Sequence, residues 1–172
     1  TYAHQWRLCN AAGSACADIP SATGSTYTPV PGDVGGTLRV VVTATNGAGS
    51  TPATSAASAL VVAAPPVNTA PPVITGTVTD GETLTAADGT WTGTPTISYT
   101  YQWRLCDAAG DNCADIPGAT DATYDVTSGD VDGTLRVAVI ATNAAGDETA
   151  ESDPTTQVAP APPVNTALPT IS

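Results

Sequence analysis

Ser98-Tyr99-Thr100-Tyr101-Gln102-Trp103-Arg104-Leu105-Cys106 alternates without a break. Tyr99, Tyr101, Trp103 and Leu105 fall on one side, and Thr100, Gln102, Arg104 and Cys106 on the other. A period of two is the pattern of a half-buried strand, because successive side chains of a strand point to opposite faces. Residues 134–143 alternate in the same way, with Leu135, Val137, Val139 and Ala141 inward. Around these two runs, shorter strands are predicted at 73–78, at 82–85 (continuing towards Trp91), at 113–116, at 122–126 and at 149–158. Turn chemistry separates them: 107–112 and 128–133 are rich in Asp, Asn, Gly and Ser. No stretch carries an amphipathic helical period. The reading is an all-β chain of antiparallel sandwich architecture. Its core is expected from Tyr101, Trp103, Leu105, Ile116, Tyr124, Leu135, Val137 and Val139. With no Phe and no Met in the chain, the core leans on one indole.

The chain says the same thing twice. Aligned at an offset of 97 residues and without a gap, 44 of 75 paired positions are identical. Gln5-Trp6-Arg7-Leu8-Cys9 returns as Gln102-Trp103-Arg104-Leu105-Cys106, and Gly36-Thr37-Leu38-Arg39-Val40 returns as Gly133-Thr134-Leu135-Arg136-Val137. A fixed period marks an array of like modules. The expected organisation is a first repeat at 1–64 without its opening strands and a Pro-rich linker at 65–72. A complete second repeat follows at 73–160. Residues 161–172 are read as a linker and the first strand of a further repeat, or as a strand given to a neighbouring subunit. The counterparts of 76–97 would lie ahead of Thr1. Two readings follow: the chain is a window on a longer array, or its C-terminal strand completes the open first module of a neighbour by strand addition. There is no initiator Met, signal peptide or membrane-spanning run, as expected of a processed or partial chain.

All four cationic side chains are Arg (Arg7, Arg39, Arg104, Arg136), and the formal net charge is −12. A nucleic-acid partner needs a basic face, so none is expected. Anionic membrane surfaces are disfavoured too. Residues 1–72 balance Asp18 and Asp33 against two Arg, while 73–172 carry the other acids. Two modules this similar share a fold, so the acidity is surface dressing that favours solubility.

The four cysteines stand as Cys9/Cys16 and Cys106/Cys113. An even count in local pairs predicts one disulfide in each module and an oxidising compartment, outside the cell or on its surface. A zinc site would want four ligands, and beyond each cysteine pair no further thiol or suitable His lies near. Two free thiols per module is the other alternative. The absence of Lys excludes Lys–Asn isopeptide crosslinks, so the disulfides and Pro65-Pro66 and Pro71-Pro72 are left to supply stiffness.

Together these residues carry a resemblance. The chain resembles the immunoglobulin-like repeats found in tandem in bacterial secreted and cell-surface proteins. It does so through the central-strand Trp6 and Trp103, the corner Asp33-Val34-Gly35-Gly36-Thr37-Leu38-Arg39-Val40, the run ending Ala44-Thr45-Asn46-Gly47-Ala48-Gly49, and the Pro-Pro-Val-Asn-Thr junction. The resemblance implies tandem Ig-like antiparallel β-sandwich modules with Trp6, Leu38, Trp103 and Leu135 as structural core. The chain departs from antibody-type domains in its cysteines. Val40 and Val137 stand where the second cysteine of an inter-sheet disulfide would be, and Leu38 and Leu135 stand where a corner Tyr would be.

Candidate chemistry is sparse. His4 is the one His and is replaced by Tyr101 in the other copy. No nucleophile–base constellation and no phosphate-cradling Gly loop is present, so no enzyme and no cofactor is expected. Asp130 and Asp132, with Asp107, Asp111 and Asp115 near in sequence, are weak calcium candidates, because a calcium loop wants six or more oxygens at set spacing. The counterparts of Asp132, Asp107 and Asp111 are Gly35, Asn10 and Ser14. The two Arg of each module are expected to order its outer face by pairing with Asp and loop carbonyls. The function expected is an extracellular structural stalk, fibre or filament subunit that associates with itself or with adjacent repeats. The alternative is an adhesin or carbohydrate-binding module with a glycan or surface ligand.

Overall fold

The two alternating runs become long antiparallel strands in a computed structural model, which describes residues 1–165. The strand expected at the very C-terminal end lies outside the described residues. Two units divide the chain, Thr1–Ala64 and Pro65–Ser172. Among the described residues there is no α-helix, and the only helical turns are Pro31–Asp33 and Ser128–Asp130.

The first unit holds β1 (Tyr2–Cys9), β2 (Ala17–Asp18), β3 (Thr37–Asn46) and β4 (Gly49–Thr54). They form one antiparallel sheet in the order β2-β1-β3-β4. Its register sets Trp6 opposite Val40, Arg7 opposite Arg39 and Leu8 opposite Leu38. The β3–β4 hairpin turns at Asn46, whose side-chain oxygen accepts the Ala48 N–H at 2.8 Å. That Asx turn frees the chain to reverse at Gly49. Trp6, Val40 and Val42 are half-buried and Leu38 is buried.

The second unit adds β5 (Val67–Ala70), β6 (Val73–Thr75), β7 (Thr83–Ala87), β8 (Thr90–Thr92), β9 (Ser98–Cys106), β10 (Ala114–Asp115), β11 (Thr123–Asp125), β12 (Thr134–Asn143) and β13 (Gly146–Glu151). One sheet runs β10-β9-β12-β13, a second runs β11-β7-β6, and β5 pairs with β8. The β9–β12 register sets Trp103 opposite Val137, Arg104 opposite Arg136 and Leu105 opposite Leu135. Leu84 and Ala86 of β7 pack with Trp103, Leu135, Val137 and Val139 in one apolar cluster. The arrangement is all-β and antiparallel, consistent with a β-sandwich. Val126 and Val158 seal the cluster. Val158 donates its N–H to Gly133 and Ala159 donates to Val78, so the final segment bridges the β12 end to the β6–β7 loop.

The expected core is present but incomplete. Trp103, Leu135, Val137 and Val139 are fully buried, whereas Tyr101, Leu105, Ile116 and Tyr124 are partly buried around them. Leu84, Ala86, Val126 and Val158 complete it. The predicted second strand is two strands in different sheets. It breaks at Gly89, whose φ is +84° and where a Cβ would meet the Ala70 carbonyl oxygen at 2.4 Å. Only glycine fits so close a backbone approach. The last strand starts at Gly146 and ends at Glu151, just before Ser152 turns its hydroxyl to the Val137 N–H. The 65–72 segment, expected as a spacer, is built into the second unit. Val67–Ala70 is strand β5, and Pro66 and Pro72 are fully buried.

Trp103 makes the sharpest stability test. Its ring is 0% exposed and stacks on Tyr124 with centroids 5.5 Å apart. Trp103→Ala should destabilise the second unit by roughly 3–5 kcal/mol. Trp6→Ala in the first unit should cost less than half as much, because that ring is only half-buried. Urea unfolding followed by circular dichroism, with hydrogen exchange to assign each loss to its unit, checks both.

Candidate functional site

The polar outer face of each long-strand pair presents an electrostatic problem. Arg7 faces Arg39, and Arg104 faces Arg136, directly across the ladder. Like charges in that position repel. Each guanidinium is therefore held by a different set of acceptors. Arg136 Nε donates to the Gly110 carbonyl at 3.2 Å and Nη1 to the Ser152 carbonyl at 2.8 Å. Arg39 does the same to Gly13, at 3.2 Å, and to Ser55, at 2.7 Å. The planar fork of Arg suits two acceptors in fixed directions, which a lysine could not match. Arg104 instead pairs with Asp115 at 2.9 Å and with Glu151, and its Nη2 reaches the Cys113 carbonyl. Arg7 Nε lies 2.8 Å from Asp18, an ion pair whose N–H does not point along a hydrogen-bond line. Its Nη2 donates to the Cys16 carbonyl at 2.9 Å. Thr54 stands where Glu151 would be, so Arg7 lacks the second carboxylate.

These Arg side chains grip the hairpins that the cysteines close. Cys9 is bonded to Cys16 and Cys106 to Cys113, and no cysteine is free. Inside the second hairpin, Asp107 accepts the N–H groups of Ala109 and Asp111 at 3.0 and 2.9 Å and the Asn112 side-chain amide at 2.7 Å. The Asn112 bond and then the Asp111 N–H hold its carboxyl below the usual range. Asn10 caps the first hairpin with its amide oxygen in the same way. Covalent closure, backbone capping and an Arg clamp thus act on one loop.

A second device went unread in the sequence. Asp33 and Asp130 are buried carboxylates at the start of the tight turn before β3 and β12. Asp130 Oδ2 accepts the Tyr124 hydroxyl at 2.8 Å, the Thr127 N–H at 2.8 Å and the Thr127 hydroxyl at 2.9 Å. Asp33 accepts Tyr27 and the Val30 N–H, both at 2.8 Å. A buried carboxylate persists only when so satisfied. The signal was available: Tyr and Asp recur six positions apart in both copies. Burial, and then the Asp130 bond, push the Tyr124 phenol up to about 12. Burial and Asp33 raise Tyr27. The Asp88 bond, and then burial, push Tyr101 up to about 12.

The remaining candidates are not brought together. His4 lies in β1 opposite Val42. Asp130 is engaged as above, while Asp132 sits exposed at a positive φ of 68°. Among the described residues, no group of three or more His, Cys, Asp or Glu is placed to hold a metal ion. Trp91 and Tyr99, candidates for an outward platform, pack together with centroids 6.2 Å apart and against the core. A cleft of about 600 Å³ in the first unit is lined by Tyr2, Asn46, Ser50 and Thr51 and carries no charged side chain. No helix among the described residues is long and apolar enough to cross a membrane. No protein-family model matches the chain, and neither a curated protein nor a solved structure matches it.

Two measurements test the clamps. Replacing Cys106 and Cys113 by Ala should lower the stability of the second unit by about 2–3 kcal/mol, the chain-entropy value for so small a loop. Thermal melts of the double variant against the parent check this. Unfolded phenols ionise near 10. A phenol held higher when folded adds stability that is complete below about pH 10 and is lost as pH climbs towards about 12. The melting midpoint should therefore fall in that window, and Tyr124→Phe should lower the plateau while making the fall shallower. Circular dichroism melts across pH 8–12 read both.

Proposed function

We propose that this chain is part of an extracellular structural protein, a stalk or fibre built from tandem immunoglobulin-like β-sandwich repeats with a period of 97 residues. One observation carries the reading: the strand pairing of one unit recurs in the other at the sequence offset. Trp6–Val40, Arg7–Arg39 and Leu8–Leu38 correspond to Trp103–Val137, Arg104–Arg136 and Leu105–Leu135. The hairpin disulfides, the Arg contacts to loop carbonyls and the Tyr–Asp turns recur with them. These side chains act on their own module's loops, which suits a part whose task is to keep its shape. Disulfides in both units favour a location outside the cell or on its surface. Adjacent repeats and further copies of the chain are the natural partners.

The second reading, an adhesive or glycan-binding module, draws on Tyr2. It is 76% exposed at the edge of the polar cleft in the first unit, and exposed aromatics beside hydroxyl and amide groups suit sugar rings. Negative-stain electron microscopy of the native material separates the two. Beaded rods or ordered fibres with a module-sized repeat are expected. Isolated globular particles together with clear hits on a glycan array would overturn the structural reading in favour of the adhesive one.

A further inference from the structure

The hairpin turn between β3 and β4 follows the same plan as the turn between β12 and β13, with one difference. Asn46 opens the first turn opposite Gly49, and Asn143 opens the second opposite Gly146. Each Asn side-chain oxygen accepts the N–H two residues ahead, of Ala48 or Ala145, at 2.8 Å. The residue that directly follows the Asn is Gly47 in one turn and Ala144 in the other.

Nothing in the backbone asks for that glycine. The φ of Gly47 lies outside the left-handed region, and a Cβ placed on it would meet no atom within 4 Å. Ala144 keeps the same turn with the same bond. The missing side chain therefore leaves the shape alone and changes the chemistry. Without a Cβ beside it, the Gly47 nitrogen is open to the Asn46 side chain. Among the described residues the Gly47 N–H has no acceptor, and Asn46, Gly47 and Ala48 are all exposed to water. The Asx turn supplies the rest. Its hydrogen bond closes a ring that contains both the Asn46 amide carbon and the Gly47 nitrogen, and so keeps the two near each other. The Ala48 N–H on Oδ1 polarises that carbon and faces the negative charge that grows on the oxygen as a nucleophile adds.

We propose that Asn46 is a self-modification site, where the chain converts the amide to aspartate and isoaspartate through a cyclic imide. The Gly47 nitrogen loses its proton to hydroxide and attacks Cγ. The new C–N bond closes the imide, and Nδ2 leaves as ammonia with a proton returned by water. Water then opens the ring. Cleavage between the nitrogen and Cγ gives aspartate. Cleavage between the nitrogen and the backbone carbonyl carbon gives isoaspartate, with the main chain rerouted through Cγ. Either product sets a carboxylate on a cleft lined by uncharged side chains. Isoaspartate also lengthens the main chain where Asn46 pairs with Gly49, which unseats the turn. The reaction needs only water, and it holds whatever role the chain plays.

The test incubates the whole chain in neutral and mildly alkaline buffer and follows the peptides spanning Asn46 and Asn143 by mass spectrometry. The Asn46 peptide should gain the mass of an amide exchanged for a carboxylate and split into two isomers on chromatography. It should do so at least about ten-fold faster than the Asn143 peptide, and faster at the higher pH. Gly47→Ala, with an unchanged circular dichroism spectrum, should slow the conversion to the rate at Asn143. A synthetic peptide of residues 40–54 gives the rate without the folded turn, and the folded chain should match or exceed it. Equal rates at Asn46 and Asn143, or no slowing in Gly47→Ala, overturns the proposal. So does a folded chain that converts about ten-fold more slowly than the peptide, since the turn would then hold the amide away from the nitrogen.

Discussion

Trp103 opposite Val137, with Val139 one step along the same face, commits the β9–β12 pair to being covered. A sheet face of that composition left in water forfeits roughly 25 cal/mol for each Å² of apolar area it could bury. The opposing layer of the second unit supplies that cover. Strand β7 brings Leu84 and Ala86, β11 holds β7 in register, and Val158 closes the gap where the sheets meet. The indole is polar at one end, and its N–H finds the Asp121 carbonyl at 3.0 Å. That bond spares a buried donor from going unmet and fixes how the ring lies. In the first unit Trp6 makes the same bond to Gly24, also at 3.0 Å, so the local fold of strand and following loop does not wait for the second layer.

The outer faces solve a different problem with different means. Two Arg directly opposed would push the central strands apart, so each is drawn sideways into its own set of carbonyls and carboxylates. The ion pairs are partly solvated and contribute little by themselves. Their effect is positional. Carbonyls of the cystine hairpin and of the residues after β4 and β13 converge on the guanidinium groups, so loops distant in sequence are fixed to the sheet. The disulfide acts on the unfolded chain, the Arg on the folded one, and the two contributions come from separate physical sources.

Long strands were legible because alternation is local and needs no partner to be seen. The bounds of β9 and β12 follow from 98–106 and 134–143 as they stand. Short strands were less so. Three-residue elements such as β6, β8 and β11 carry too little pattern to fix their ends, and the break at Gly89 is set by how close the backbone of Pro71 comes. The 65–72 segment misled for a related reason. Four prolines in eight residues read as a spacer, but proline tolerates an edge strand, and Pro66 and Pro72 are apolar enough to be buried. Leu84, Val126 and Val158 escaped the expected core because each lies in or beside a short element where no period points inward. Of the clamps, the disulfides and the Arg–loop contacts were readable from paired recurrence. The Tyr–Asp turn recurs as well, but its recurrence did not reveal its role, since a carboxylate in an acidic-looking loop suggests solvent or a cation until its burial is known.

The composition fits this division of labour. A chain without Met or free thiols has few groups that mild oxidants alter, and its most vulnerable ring in the second unit is sealed. Its four Arg are held by loops, and its buried carboxylates by phenols and backbone N–H groups. The other acids, concentrated after residue 72, lie mostly on the surface, where mutual repulsion keeps like surfaces from adhering. The second unit resists change from three directions: covalent closure of a hairpin, satisfaction of its buried side-chain polar groups, and a charged exterior. Side chains matched within their own unit are spent on holding its loops in place, which is what the proposed structural role would ask of them.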